Sequence, residues 1–235
     1  MKYKIKLIKI LIPIIIFYIL SYIIIFISSF IYSLYNNDIN IFVNNYLPYI
    51  LIIYYILLTI YIINKYKYSN KKTNLNKSFL SIYLGISLSI FLNMLIFIIE
   101  PPSKKITIPI LTSIISSAIV GPILEEYLFR YYLYNKLKEF NSSEKTIILN
   151  SLIFGIIHIK PLNILYASIL GLVINLIYRK YQNIYYCQFI HMGANFIAIF
   201  LTKYSLLLLV ISLINFIICM VMLTNDKIIR ATLHL

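Results

Sequence analysis

Long apolar runs, most of them close to the length that crosses a lipid bilayer, constrain the fold of this chain more than any other feature. A helix needs about 20 apolar residues to cross ~30 Å of hydrocarbon. Eight runs can be drawn in the 235-residue chain, at 7–34, 46–63, 79–99, 106–133, 146–158, 162–178, 184–201 and 204–223. Backbone groups inside a bilayer must be hydrogen-bonded within the protein. The runs therefore predict an all-α, polytopic membrane bundle of about eight transmembrane helices.

The composition indicates the same class of protein. Hydrophobic residues make up 61% of the chain and charged residues 12%, and the mean hydropathy is +0.89. These values lie far outside the range of soluble globular domains. We therefore expect a multi-pass integral protein of the cell membrane, surrounded by membrane lipids and built as a single membrane domain over residues 1–235.

The positive charges alternate across the loops between the runs. When alternate loops are assigned to opposite sides, 17 of the 21 Lys and Arg residues fall on one side. The remaining four are Lys104, Lys105, Lys160 and Lys203. Because cytoplasmic loops carry the excess of Lys and Arg, both termini are predicted to be cytoplasmic. The net charge of +14 is then mainly a topology signal, and we expect no nucleic-acid partner.

Two adjacent carboxylates, Glu125 and Glu126, lie in the fourth run and are followed by Arg130. Ionisable groups inside a membrane are costly and usually have a partner and a function. Adjacent helical residues point about 100° apart, so the two carboxylates cannot address one ligand equally. Glu126 and Arg130 have the i,i+4 spacing of an ion pair, which leaves Glu125 to face a cavity. The preceding Gly121-Pro122 pair is expected to loosen the helix and free backbone groups for a site.

Two further polar clusters lie at a similar depth in later runs. Glu125 lies about a dozen residues before the loop near Asn141, and His158 lies about a dozen residues after it. At the rise of an α-helix, each side chain is therefore ~18 Å from that loop. His191 enters from the same side, and Asn195 follows one turn later. A desolvated carboxylate beside a histidine is a suitable base for a water that attacks an amide carbonyl. His191 and Asn195 would then donate hydrogen bonds to the oxyanion.

Other interpretations of these clusters stay open at this point. A single intramembrane His is often an interhelical hydrogen-bonding group, and the glutamate-arginine cluster also fits a structural ion-pair cluster or the proton relay of a transporter. The sequence has no inverted repeat, which ranks the transporter last. The conjunction of three clusters in one chain favours a catalytic site.

The three clusters resemble the motifs of a known family, the Abi or CPBP intramembrane proteases. That family includes the Ras-converting CAAX prenyl endopeptidase and bacterial proteins of bacteriocin processing and self-immunity. Its motifs Glu-Glu-x-x-x-Arg, Phe-x-x-x-His and His-x-x-x-Asn occur here in order, as Glu125-Glu126 with Arg130, Phe154 with His158, and His191 with Asn195. The resemblance covers roughly residues 108–200, which we take as the protease core.

The resemblance implies an intramembrane endopeptidase that hydrolyses a peptide bond in a membrane-associated protein or peptide. Glu125 and His158 would activate water, while His191 and Asn195 would stabilise the oxyanion. Glu126, Arg130 and Phe154 would support them. Prenylated proteins, leader-bearing bacteriocins and signalling peptides all fit a cytoplasm-accessible cavity, so the substrate is a peptide or a lipidated protein of unspecified identity.

The resemblance leaves the cofactor open, because the family has been described both as metalloproteases and as glutamate-dependent enzymes without zinc. If Zn²⁺ is bound, its ligands are Glu125, His158 and His191, a set that leaves an open position for water. We favour the metal-independent mechanism. A second functional hypothesis is bacteriocin self-immunity through binding, without proteolysis.

The sequence departs from the family pattern near the end of the sixth run. Gly171 matches a family glycine, but the position one turn later, which is often small in the family, is Asn175. We expect this difference to affect packing and substrate choice, while every proposed catalytic position is filled.

Overall fold

The computed structural model describes residues 2–36, 38–66, 71–101 and 109–225, and every regular element within these residues is a helix. The helices are α1 Lys2–Ser33, α2 Ile39–Asn45, α3 Leu47–Tyr66, α4 Leu75–Ile99, α5 Ile110–Lys138, α6 Ser143–Ile156, α7 Pro161–Tyr181, α8 Ile184–Ala198 and α9 Leu206–Thr224. The predicted all-α class is confirmed.

Each of the eight predicted runs contains a helix, but the described helices differ in length. Six of them are long and apolar enough to cross a membrane: α1 from Leu7, α3, α4, α5, α7 and α9. The other two, α6 and α8, have 14 and 15 residues and are shorter than a full crossing. The count of eight crossings and the cytoplasmic termini therefore stay predictions. The predicted start of the fourth run, at residue 106, lies outside the described residues.

The short helix α2 is an element that the apolar pattern did not predict. Asp38 caps its first turn, and the Asp38 carboxylate accepts a hydrogen bond of 2.9 Å from the Asn40 backbone N–H. Such an N-cap satisfies one of the backbone donors that a helix start leaves free. Polar caps of the same kind begin α4 at Asn74, α6 at Ser142 and α8 at Asn183.

The motif-bearing helix α5 is loosened, as the Gly121-Pro122 pair predicted. Two π-helical segments, Ile114–Val120 and Tyr127–Tyr134, flank the α-helical segment Gly121–Glu126. Pro122 has no backbone N–H, so it cannot close the usual helical hydrogen bond. π-Helical turns change the register of a helix and often occur at functional sites. Here they lie on both sides of the α-helical segment that carries Glu125 and Glu126.

Two glycines let α4 and α8 approach backbone to backbone. A Cβ at Gly85 would collide with the backbone carbonyl of Ile190, and a Cβ at Gly193 would collide with that of Ile82. Small residues permit this close packing of membrane helices. The contact fixes the height of α8, which carries His191 and Asn195, against α4.

We expect Gly193→Val to destabilise the protein by about 1–3 kcal/mol, because overpacking at a tight contact forces backbone shifts. The obstacle is a backbone carbonyl, which cannot rotate away as a side chain would. The measurement is thermal unfolding of the purified protein in detergent. The control is Phe196→Val on the same helix, where the side chain is 42% exposed. Equal unfolding temperatures of the two variants would contradict the proposed close contact.

Large apolar side chains cover the outside of the bundle. In the candidate membrane spans, only 17% to 44% of the most apolar window is buried inside the protein. Exposed residues of this kind include Phe26, Leu57, Ile98 and Leu207. An apolar surface of this extent needs a hydrocarbon solvent. The chain is a multi-pass integral membrane protein.

Candidate active site

Glu126 and Arg130 form a fully buried ion pair on α5. Arg130 Nε lies 3.1 Å from Glu126 Oε2, and both side chains have 0% exposure. The contact is not aligned as a hydrogen bond, so attraction between the charges holds it. The i,i+4 spacing predicted this pair, and the structure contains it.

Arg130 also contacts the neighbouring helices. Its Nη2 donates a hydrogen bond of 3.4 Å to the carbonyl of Gly171 on α7. Its guanidinium carbon lies 4.5 Å from the centre of the Phe154 ring on α6, a distance typical of a cation–π contact. A Cβ at Gly171 would lie against both Phe154 and Arg130. The arginine therefore ties α5 to α6 and α7 beneath the glutamate pair.

His191 joins the two glutamates, which the sequence did not predict. Its Nδ1 lies 2.8 Å from Glu126 Oε1, and its Nε2 lies 3.9 Å from Glu125 Oε2. A carboxylate can only accept, so Nδ1–H donates to Glu126. Glu126 is thus shared between Arg130 and His191, and it orients the imidazole so that the other nitrogen faces Glu125.

Glu125 is the carboxylate that reaches open space. Its side chain is 24% exposed, while that of Glu126 is fully buried. It lines a cavity of about 970 Å³ together with His158, His191 and Asn195. It also lines a second cavity of about 330 Å³, whose wall includes Tyr55 of α3. The expected division of roles between the two glutamates agrees with this difference in exposure.

Phe154 is the packing centre of the site. Its ring makes edge contacts with the rings of His158 at 5.1 Å, His191 at 5.6 Å and Phe129 at 5.0 Å. Edge-to-face contacts of this kind are favourable for aromatic rings. Because the same ring lies under the Arg130 guanidinium, Phe154 sets the relative positions of both histidines and the ion pair.

His158 lies in the same cavity as Glu125, but the imidazole that approaches Glu125 within 4 Å is that of His191. His158 Nδ1 lies 2.9 Å from the carbonyl of Phe154. Since a carbonyl only accepts, Nδ1–H is the donor, and in the neutral ring Nε2 is then the acceptor. His158 and Glu125, which the resemblance expects to activate water together, thus share one cavity.

The turn after His158 is strained. Ile159 has a φ of 63°, a left-handed conformation that costs a β-branched residue about 1–2 kcal/mol. The next residue but one, Pro161, begins α7 at a position where its fixed φ suits a helix start. A tight turn of this kind places His158 at the end of α6 while α7 returns beside it.

Asn195 is held by a backbone carbonyl that the π-helical register frees. The backbone N–H of Gly121 bonds to the carbonyl of Ser116, and the following residue, Pro122, has no N–H to offer Ser117. The Ser117 carbonyl instead accepts a hydrogen bond of 2.8 Å from Asn195 Nδ2. One of the two N–H groups of the Asn195 amide is therefore already used, and an oxyanion would have to take the other.

A buried amide network behind the site was also missed by the sequence reasoning. Asn175 Nδ2 donates to Asn150 Oδ1 and Ser151 Oγ, both at 2.9 Å. Asn150 Nδ2 in turn donates to the carbonyl of Phe129 at 2.8 Å. The network ties α6 and α7 to the π-helical part of α5. The sequence signal for this network is Asn175, because the family that the motifs resemble often has a small residue at that position.

The predicted zinc ligands do not converge on one point. In the part of the chain that the structure describes, no three His, Cys, Asp or Glu side chains are grouped closely enough to hold a metal ion. His191 uses Nδ1 for Glu126, and His158 uses Nδ1 for Phe154. As arranged, Glu125, His158 and His191 do not form the zinc site that the sequence left open.

Comparisons with known proteins agree with the motifs. A family described as Type II CAAX prenyl endopeptidase Rce1-like matches residues 107–197. A Bacillus subtilis (strain 168) protein named "Putative membrane peptidase YdiL" is 34% identical over 82 residues, which are 35% of this chain and 34% of that protein. The match thus spans about a third of that relative's length. No solved structure gives a significant match.

The family match covers the whole of the candidate site. The first motif begins at Glu125 and the last ends at Asn195, and both positions fall inside residues 107–197. Over the segment that carries all three motifs, the chain is therefore similar to the Type II CAAX prenyl endopeptidase family, as its sequence predicted.

Proposed function

We propose that this protein is an intramembrane endopeptidase that hydrolyses a peptide bond in a membrane-associated peptide or protein. The observation that carries the proposal is Glu125, a partly exposed carboxylate in a cavity of about 970 Å³ that also holds His158, His191 and Asn195. The family match and the relative named as a membrane peptidase support the same reaction class.

In the proposed reaction Glu125 is the general base. A water bound beside its carboxylate loses a proton to Oε2 as its oxygen attacks the scissile carbonyl carbon. The 3.9 Å between Glu125 Oε2 and His191 Nε2 is short enough for one water to contact both atoms. General-base catalysis of this kind contributes about 10²–10⁴-fold to a rate.

The oxyanion and the leaving group need donors from the other walls of the cavity. The free N–H of the Asn195 amide is our candidate for the oxyanion, because only one of the two is used by Ser117. The proton on Glu125 then passes to the leaving amine, which restores the carboxylate. His158, whose Nε2 is the acceptor in the neutral ring, would hold the attacking water or a substrate N–H.

Glu126 and Arg130 act on this reaction through His191. The Glu126 carboxylate fixes the imidazole at Nδ1, and Arg130 balances the charge of Glu126 where neither of these two side chains is exposed to solvent. Such support from surrounding groups keeps catalytic side chains in a productive geometry. Glu126 is therefore a positioning residue in our proposal.

The proposal is tested by reconstituting the purified protein in lipid vesicles and adding three peptides: a prenylated C-terminal peptide, a leader-bearing bacteriocin precursor and a signalling peptide precursor. Mass spectrometry of the products reports the bond that is cut. We expect an internal cleavage of at least one peptide by the intact protein. Binding of a bacteriocin with no cleavage of any peptide would favour the immunity hypothesis instead.

We expect cleavage to survive rigorous chelation. The reason is geometric, since Glu125, His158 and His191 do not group closely enough to share one metal ion. The measurement is the cleavage rate before and after treatment with a strong zinc chelator, together with the metal content of the purified protein. A loss of activity that added Zn²⁺ restores would contradict the metal-independent mechanism.

A further inference from the structure

The basic loops lie together at one end of the helix bundle. The Tyr131 hydroxyl near the end of α5 donates a hydrogen bond to the carbonyl of Tyr66, where α3 ends. At the start of α8, the Asn183 amide bonds to the carbonyl of Lys72, just before α4. The described cations of this end include Lys9, Lys65, Lys71, Lys72, Lys77, Lys136, Lys138, Lys145, Arg179 and Lys180.

The large cavity lies in the opposite half of the bundle. Its wall is made by the last turns of α4 up to Glu100 and Pro101, and by the first turns of α7 from Pro161 to Leu170. From α8 it includes His191 at the middle of that helix, and Asn195 and Ala198 in its last turns. Glu100, Lys160 and Asn163 line the cavity and are exposed. They form the rim of its mouth.

Packed side chains close the path from the basic end to the glutamates. Glu125 lies 13 residues before Lys138 on α5, or ~20 Å along a helix. Over that length Phe129, Leu133, Tyr134 and Leu137 all have 0% exposure. A close-packed interior of this kind has no passage for a peptide. Of the two cavities that Glu125 lines, the larger has its rim at Glu100 and Lys160, away from the basic end.

We propose that the active-site cavity opens to the non-cytoplasmic side of the membrane and takes peptide segments presented on that side. The excess of Lys and Arg at the closed end marks that end as cytoplasmic. The sequence assigns only four cations to the opposite side of the membrane, and the two of them that the structure describes are Lys160 and Lys203. This orientation is the reverse of the cytoplasm-accessible cavity that the sequence suggested.

This inference about substrates rests on the proposed function. If the protein is a peptidase, the side on which its cavity opens limits the class of its substrates. A protein prenylated in the cytoplasm meets the closed, basic end of the bundle. A peptide that has been exported, or a membrane segment whose scissile bond lies near the outer surface, meets the open mouth. We therefore infer that the substrates are exported or outward-facing segments, such as precursors that are trimmed after translocation.

Labelling of single introduced thiols in intact cells tests the orientation. The native thiols, Cys187 and Cys219, are both buried, so the unmodified protein is the background control. Lys160→Cys places a thiol at the cavity mouth, and Lys71→Cys places one at the basic end. With a membrane-impermeant sulfonated maleimide, we expect Lys160→Cys to be labelled in intact cells and Lys71→Cys only after permeabilisation.

The reverse pattern, or labelling of both thiols from the same side, overturns the proposal. Asn163→Cys, also on the rim, gives a second position in case Lys160→Cys does not fold. The readout does not depend on catalysis. If the protein shows the expected labelling but cleaves no peptide, the orientation stands and the proposed function is contradicted. If it cleaves a peptide but Lys160→Cys is labelled only from the cytoplasm, the proposed function stands and the orientation is contradicted.

Discussion

Replacing Glu125 by Gln is expected to lower peptide cleavage by about 10²–10⁴-fold, the contribution of a general base. Gln has the same shape and keeps the hydrogen-bonding oxygen, but it cannot take a proton from water. The buried ion pair with Arg130 is made by Glu126, so the fold does not depend on the charge of Glu125. We therefore expect Glu125→Gln to keep the unfolding temperature of the unmodified protein while it loses activity.

The measurement is the initial rate of product formation in lipid vesicles, normalised to folded protein. The matched control is Glu144→Gln, which removes a carboxylate from an exposed contact with Arg179 at 3.3 Å. This contact lies at the basic end of the bundle, so the control should cleave at the rate of the unmodified protein. A folded Glu125→Gln variant with the same rate would rule out Glu125 as the base.

The sequence predicts the interactions that depend on local spacing. The i,i+4 separation of Glu126 and Arg130 is enough to predict their ion pair, because helix geometry brings such residues together. The helices follow in the same way from the length of the apolar runs. Gly121-Pro122 predicts a loosened helix because proline removes a backbone donor.

Contacts between helices cannot be predicted from local spacing in the sequence in the same way. His191 and Glu126 are 65 residues apart, and their hydrogen bond depends on the rotation of α8 about its axis. That rotation is set by the contact of Gly85 and Gly193 with facing backbone carbonyls. The sequence shows the glycines but not which carbonyls they meet. This is why the sequence does not show which histidine lies beside Glu125, whereas the structure brings His191 to it.

The position of the cavity is a second feature that the sequence alone does not predict. The number of residues between Glu125 and the loop predicts its distance from the membrane surface but not the path by which it is reached. Whether a mid-membrane group is reached from one side or the other depends on side-chain packing. Here Leu133 and Leu137 are buried between Glu125 and the basic end, and the exposed residues Glu100 and Lys160 line the cavity.

Replacing Arg130 by Met is expected to destabilise the protein by about 3–5 kcal/mol, the cost of leaving one member of a buried ion pair without its partner. Arg130 and Glu126 both have 0% exposure, so no solvent can replace the lost charge. The change also removes the contacts with Gly171 and Phe154. The measurement is the thermal or denaturant unfolding of the purified protein in detergent.

A control on the same helix separates this loss from the general effect of removing a cation. Lys136 pairs with Glu139 at 2.7 Å, but the two side chains are 45% and 48% exposed, and exposed pairs contribute only about 0–1 kcal/mol. Lys136→Met should therefore unfold close to the unmodified protein. The double variant Glu126→Gln with Arg130→Met removes the unpaired carboxylate and should be more stable than Arg130→Met alone. If Arg130→Met instead unfolds like Lys136→Met, the buried ion pair does not stabilise the fold, and the support of His191 must come from Glu126 without Arg130.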